Sequence, residues 1–159
     1  MNTKKYNITE LLIFIIGTEL VGALSALLSG NFSEFYNSLV QPPFAPPGWI
    51  FPVVWAILYA VMGFSAYLVY SSDKDRAQIR TALTIYAIQL FINFSWSIVF
   101  FRFNLLTASS AVIIALLIMV GVMIISFWRI TPLAGYINIP YFSWVAFATY
   151  LNIGVAVLN

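Results

Sequence analysis

The amino-acid sequence predicts an all-α fold, an integral membrane bundle of five transmembrane helices with a short extra helix in the first loop. Three observations carry that prediction. Of 159 residues, 62% are hydrophobic and 8% are charged, against about a half and a quarter in soluble domains. Five apolar stretches each reach the roughly 20 residues needed to cross the hydrocarbon core as a helix. The basic residues gather in the connections at one end of those stretches, as the positive-inside rule requires of a multi-pass chain.

The same composition excludes several classes of function. With no Cys and no His, thiolate or imidazole metal ligation and Ser-His triads have no residues to use. No metal site and no required cofactor are expected. The carboxylates are Glu10, Glu19, Glu34, Asp73 and Asp75, too few and too scattered for an evident general acid–base pair. A net charge of +2 without a basic patch gives no ground for nucleic-acid binding. The lipid bilayer is the partner the composition calls for.

The spans fall at about 10–28, 50–70, 80–101, 105–127 and 133–158. The first follows Lys4 and Lys5, and Ala23-Leu24-Ser25 would pass as a cleavage site. Its length and the acid Glu19 within it favour a retained helix over a signal peptide. The second carries Pro52 in its first turn, where the missing N–H has no helical partner to lose. Lys4, Lys5, Lys74, Arg76, Arg80 and Arg129 fall on the N-terminal side of the bundle, and Arg102 alone on the other. The N-terminus is therefore expected in the cytoplasm, with the 29–49 loop and the C-terminus outside. No internal repeat supports an inverted-repeat transporter plan. Thr18, Gly22 and Ala26 on the first span, and Ala111 and Ala115 on the fourth, form small-residue stripes. Such stripes admit close helix approach, within the bundle or between protomers.

The 29–49 loop is more than a linker. Asn31-Phe32-Ser33-Glu34 places an acidic residue three positions after an Asn, as in a capping box. Phe32, Phe35, Tyr36 and Leu39 then recur on one face of a short helix. That helix is either an interfacial anchor or a lid over a cavity. Next comes Pro42-Pro43-Phe44-Ala45-Pro46-Pro47-Gly48-Trp49, a proline run that cannot be helical and forms a stiff, aromatic strap.

Polar side chains inside hydrocarbon are costly, so their positions are informative. Gln89, Asn93, Trp96 and Ser97 make one face of the third span. Trp144, Phe147, Ala148, Leu151 and Asn152 follow Pro140 along a stripe of the fifth, and Trp55 and Tyr59 lie one turn apart on the second. These three faces are expected to surround an aromatic pocket with a few amides. The amides could instead bond only to neighbouring helices, and Trp49 and Trp128 suit the interfacial aromatic belt. Glu19 reads either as a neutral carboxyl bonded across helices or as a proton or ligand site.

At the strap the chain resembles the tryptophan-rich sensory protein/translocator protein family (TspO, the peripheral benzodiazepine receptor type). The resemblance runs from the strap through Ile50-Phe51, Val54-Trp55-Ala56-Ile57-Leu58-Tyr59 and Met62-Gly63. It continues in Gln89-Leu90, Asn93-Phe94, Trp96-Ser97 and Phe100-Phe101, and ends in Pro140-Tyr141, Trp144, Phe147-Ala148 and Leu151-Asn152. It implies a five-helix bundle, commonly a homodimer, whose pocket beneath the first loop takes porphyrins of the protoporphyrin IX type and other lipophilic ligands. On that pattern Tyr36, Pro46, Pro47 and Trp49 form the lid side. Trp55 and Tyr59 come from the second span, Asn93, Phe94 and Trp96 from the third, and Trp144, Phe147 and Ala148 from the fifth. The chain departs from the family pattern at Phe44, where a Trp is usual. It also lacks a Lys or Arg at the end of the fifth span, so sterol binding is not carried over.

Three activities follow as expectations. The first is a receptor or carrier for tetrapyrroles with a sensory or regulatory role, in which aromatic faces stack on the ring and amides or Arg102 meet its carboxylates. Without His or Cys, a metal-free ring is the more natural guest. The second, suggested by the resemblance, is light- or oxygen-dependent porphyrin breakdown with Trp55 and Trp144 as redox-active candidates. The third is a small proton-linked transporter using Glu19.

Overall fold

A computed structural model describes residues 7–159, and every regular element among them is helical. Five elements are long and apolar enough to cross a membrane: Ile8–Ser29, Ile50–Tyr70, Arg76–Arg102, Leu106–Ile130 and Pro132–Leu158. Lys4 and Lys5 lie outside the described residues.

The first span is α1 (Ile8–Ser29), opened by Asn7, whose side chain accepts from the Thr9 N–H at 3.0 Å. The predicted capping box starts α2 (Phe32–Ser38): Asn31 accepts from the Glu34 N–H and its amide donates to the Glu34 carboxylate at 2.7 Å. The strap leads to α3 (Ile50–Tyr70), with Pro52 in its first turn. Asp75 caps α4 (Arg76–Ser97) through the Ala77 N–H. This helix starts four residues before the expected span and runs on through a π-turn at Ile98–Arg102. Then come α5 (Leu106–Ile130), the single-turn α6 (Pro132–Tyr136) and α7 (Ile139–Leu158).

The fifth span is thus broken into two pieces where the sequence suggested one run. Pro132 starts α6 at a position that tolerates it, and Asn138 closes the break by donating from Nδ2 to the Ala134 carbonyl at 2.7 Å. Gly135 permits the bend: a methyl group there would sit 2.9 Å from Trp128 Cβ and 3.2 Å from the Ile124 carbonyl.

Around the bundle α1 packs on α3, α4 on α5, and α5 on α7, with α4 also reaching α1 and α3. The contact between α1 and α3 is made at the end opposite the strap. A methyl group on Gly63 would lie 2.7 Å from the Phe14 carbonyl oxygen and from Ile15 Cα, so the two backbones touch. Farther along, Gly22 lies against the ring of Tyr59. The buried core centres on Met62, Ala66, Val69, Ile113, Leu116, Val120, Met123 and Phe127, from α3 and α5. Outward faces carry Ile13, Leu20, Leu24, Leu27, Ile118 and Ile125, all exposed; this is the expected pattern where hydrocarbon is the solvent. Ala111 and Ala115 are on that exposed surface of α5, whereas Thr18 and Gly22 face inward.

Candidate functional site

Between α1, α3 and α4, at the strap end, the helices part around a cavity of about 220 Å³. Gly22, Ser25, Ala26 and Ser29 give the α1 wall, and Phe51, Pro52, Trp55 and Tyr59 the α3 wall. Asn93, Trp96 and Ser97 come from α4, Phe101 from the π-turn, and Phe32 from α2 closes the end. Among the described residues no charged side chain lines it.

Each wall is held for a physical reason. On α1, Ser25 Oγ donates to the Phe94 carbonyl at 2.9 Å, and Ser29 Oγ meets Ser97 Oγ at 2.6 Å. These bonds draw the strap end of α1 toward α4 and leave the gap to α3. On the other side, the Trp55 ring lies 5.8 Å from Tyr59, 6.2 Å from Trp96 and 6.3 Å from Tyr141. Trp96 is fixed by its indole N–H, which donates to Asn152 Oδ1 at 2.8 Å. Asn152 in turn donates to Ser110 Oγ at 2.9 Å and Ser109 Oγ at 3.1 Å on α5. One amide therefore joins α4, α5 and α7.

A second polar chain runs through the middle. Tyr59 Oη donates to Asn93 Oδ1 at 3.1 Å, and Asn93 Nδ2 donates to Tyr141 Oη at 2.8 Å. Tyr141 Oη donates to Gln89 Oε1 at 2.8 Å, and Gln89 Nε2 donates to Met62 Sδ at 3.7 Å. All five residues are buried. The polar face read on the third span is thus spent on helix–helix bonds, with Tyr59 and Asn93 also bordering the cavity.

The cover is α2 and the strap. Phe32 packs on Phe101 at 4.8 Å and on Phe51 at 6.0 Å. Tyr36 Oη donates to the Pro46 carbonyl at 2.7 Å, Gln41 Nε2 to the Tyr36 carbonyl at 2.8 Å, and Tyr150 Oη to the Pro43 carbonyl at 2.9 Å. Asn159 accepts from the Val40 N–H and donates to its carbonyl at 2.9 and 3.0 Å. Pro42 sits on Gly154, where a methyl group would come within 2.7 Å of it. Burial pushes the Tyr36 phenol above its ordinary value. Phe44 occupies the third position of a turn closed by the Ala45 N–H and the Pro42 carbonyl, with φ of 65°. Its side chain is 88% exposed, so the residue that replaces the usual Trp projects away from the cover.

Trp55, Tyr59, Asn93 and Trp96 therefore meet in the cavity. Tyr36 and Ala148 border a small void of about 30 Å³ behind Phe51 and Trp96. Trp144 lies beyond Phe51, 5.8 Å ring to ring, with Phe147 behind it, and its buried indole N–H finds no acceptor among the described residues. Pro46 serves the cover through its carbonyl, and Phe94 serves α1 through its carbonyl. Pro47 and Trp49 are exposed. Glu19 is half-buried on α1 and is absent from the cavity wall. Arg102 places Nη1 3.6 Å from where a Gly30 methyl would stand, beside the Ser29 end of the cavity. Reading by residue type placed Ser97 on the pocket face and missed the α1 wall and Phe51, Pro52 and Phe101. The spacing of Gly22, Ser25, Ala26 and Ser29 on one helical face was the available signal.

A model of the TspO/MBR family matches residues 12–158. The chain is 35% identical to the tryptophan-rich protein TspO of Chlorobaculum tepidum over 127 residues, 80% of each chain. It is 31% identical to protein CrtK of Rhodobacter capsulatus over 153 residues, 96% of this chain and 94% of that one. Against the human translocator protein it is 28% identical over 131 residues, covering 80% of this chain and 76% of the relative. With five apolar helices, three of them around an aromatic cavity, and a family match along nearly its whole length, this multi-pass membrane protein belongs to the TspO/MBR family.

Proposed function

We propose that the protein is a membrane receptor or carrier for tetrapyrroles of the protoporphyrin type and similar lipophilic guests, with a sensory or regulatory output. The observation that carries this reading is the cavity itself. Trp55, Trp96, Phe51 and Phe101 offer ring faces for stacking, and Tyr59 and Asn93 supply two polar contacts in an otherwise apolar wall. Arg102, near the open end of α1, is the cation placed to meet a carboxylate at the rim. The cavity is smaller than the roughly 300–1,000 Å³ typical of drug-sized ligands. A whole tetrapyrrole enters only when α2 and the strap lift from Phe51 and Phe101. On this reading the N-terminus is cytoplasmic, the cover faces outward, and the working form is a homodimer.

The test is a titration of the detergent-solubilised protein with protoporphyrin IX, followed by tryptophan fluorescence. Saturable quenching is expected, with affinity reduced about tenfold or more in Trp55→Phe, since base-like stacking on one aromatic side chain contributes about 1–3 kcal/mol. Linear, non-saturating quenching that is equal in wild type and Trp55→Phe would overturn the reading.

A further inference from the structure

The hydrogen-bond chain behind the cavity has a direction, and Gln89 and Met62 set it. A thioether sulfur accepts weakly and never donates. Met62 Sδ therefore fixes Gln89 with its amide nitrogen toward sulfur and its carbonyl toward Tyr141. The Tyr141 hydroxyl hydrogen is then committed to Gln89, so its oxygen receives Asn93 Nδ2. Asn93 must turn its carbonyl to Tyr59, and the Tyr59 hydroxyl hydrogen is committed to Asn93 and not to a guest. Reversing both amides and both hydroxyls would give an equally continuous chain with Tyr59 donating outward. That arrangement would place the Gln89 carbonyl against sulfur with no hydrogen between them. It would also forfeit the Gln89 bond to sulfur, so the reversed chain has one hydrogen bond fewer within the protein.

We infer that Gln89 and Met62 are specificity-determining residues: they hold Tyr59 as a hydrogen-bond acceptor, so the cavity selects guests that bring an N–H or O–H donor to Tyr59. Both are fully buried and neither borders the cavity. They act through Tyr141 and Asn93, and are positioning residues. The inference rests on the reading that the cavity binds aromatic guests, and it names which hydrogen-bonding class of guest is preferred at Tyr59.

The test uses two probes that share the naphthalene ring, 2-naphthol and 2-methoxynaphthalene, the first with an O–H and the second with a methyl in place of that hydrogen. Direct calorimetric titration of the purified protein gives a Kd for each, independently of porphyrin. Wild type is expected to favour 2-naphthol about tenfold, the size of one buried hydrogen bond to a neutral partner. Gln89→Leu and Met62→Leu free the chain to reverse and bring the ratio toward one. Tyr59→Phe removes the preference altogether. A merely structural role for Gln89 or Met62 would weaken both probes together and leave the ratio alone, and that result would overturn the inference. So would a wild-type ratio near one, or a preference for the methoxy compound. Failure of both probes with protoporphyrin still bound overturns this inference alone, whereas loss of all three overturns the binding reading as well.

Discussion

The two sides of the bundle solve the same packing problem differently. Where α4, α5 and α7 meet, side chains interlock: Trp96, Asn152, Ser109 and Ser110 are joined by hydrogen bonds, and Ile113, Leu116 and Val145 are wholly buried. On the other side α1 is lightly buried along most of its length. It is held by glycine contact toward one end, by the Thr18–Tyr86 hydrogen bond in the middle and by two serine hydrogen bonds at the other end. In hydrocarbon no hydrophobic force presses helices together, so van der Waals fit and polar contacts decide where they touch. The interlocked side leaves only the void of about 30 Å³ behind Trp96. On the α1 side, small residues bring the helix close at Gly63, and short serines let it stand off from α3 where the cavity lies.

That contrast is most sharply broken at Gly63. Its Cα faces the Phe14 carbonyl and Ile15 backbone, which cannot swing aside as a side chain would. Gly63→Leu should push α1 off α3 and lower stability by about 3 kcal/mol, the upper part of the range for overpacking. Reversible unfolding in mixed micelles measures it. A loss under about 0.5 kcal/mol would mean that α1 contributes little to the fold. On the interlocked side, Asn152→Leu should cost about 2 kcal/mol, because it strands the buried Trp96 N–H. If that variant matches wild type, the Asn152 network is decorative.

Much of the α4–α5–α7 side could be read from residue types, because Trp96 and Asn152 are conspicuous in apolar spans. The five-helix class follows from run length and composition alone. The strap follows from its prolines, and the capping box at Asn31 from spacing. The α1 side was harder to read. Gly22, Ser25, Ala26 and Ser29 are ordinary in a membrane helix, and nothing local says whether a small residue marks a tight contact or an opening. Gly22 does both, touching Tyr59 and lining the cavity, whereas Ala26 only lines the cavity. Trp144 illustrates the same limit on the fifth span. Its stripe with Phe147 and Ala148 was legible, but its depth relative to Phe51 depends on how α6 breaks the span at Thr131–Asn138, which is a packing outcome.

Smaller effects sharpen the comparison at the cavity end. Ser25→Ala with Ser29→Ala removes the two bonds from α1 to α4 at the cavity end, each about 0.6 kcal/mol by the average for such contacts in membranes, and leaves that of Thr18 to Tyr86. The double variant should lose about 1 kcal/mol in the same unfolding assay. Its main consequence should be faster backbone exchange confined to the strap end of α1. Exchange that rises equally along the helix would show that the glycine contact and the serine contacts are not separable.

The smallest expected effect concerns the cover. Tyr36 holds the strap by donating its hydroxyl hydrogen to the Pro46 carbonyl at 2.7 Å. Burial raises its phenol above the ordinary value of 10.0, so the latched state binds the proton more tightly than the open one. The sign follows from linkage: the latch contributes fully below about pH 10 and is lost as pH rises through the raised value, where no hydrogen remains to donate. Tyr36→Phe removes this bond at every pH, a change of about 1 kcal/mol in cover opening. Limited proteolysis of the strap between pH 8 and 11 should therefore accelerate with pH in wild type. In Tyr36→Phe it should start faster and show no added rise beyond that of a reference peptide. If both chains share one pH profile, the strap is held by Gln41, Tyr150 and Asn159 instead, and the Tyr36 bond is not what keeps the cover on the cavity.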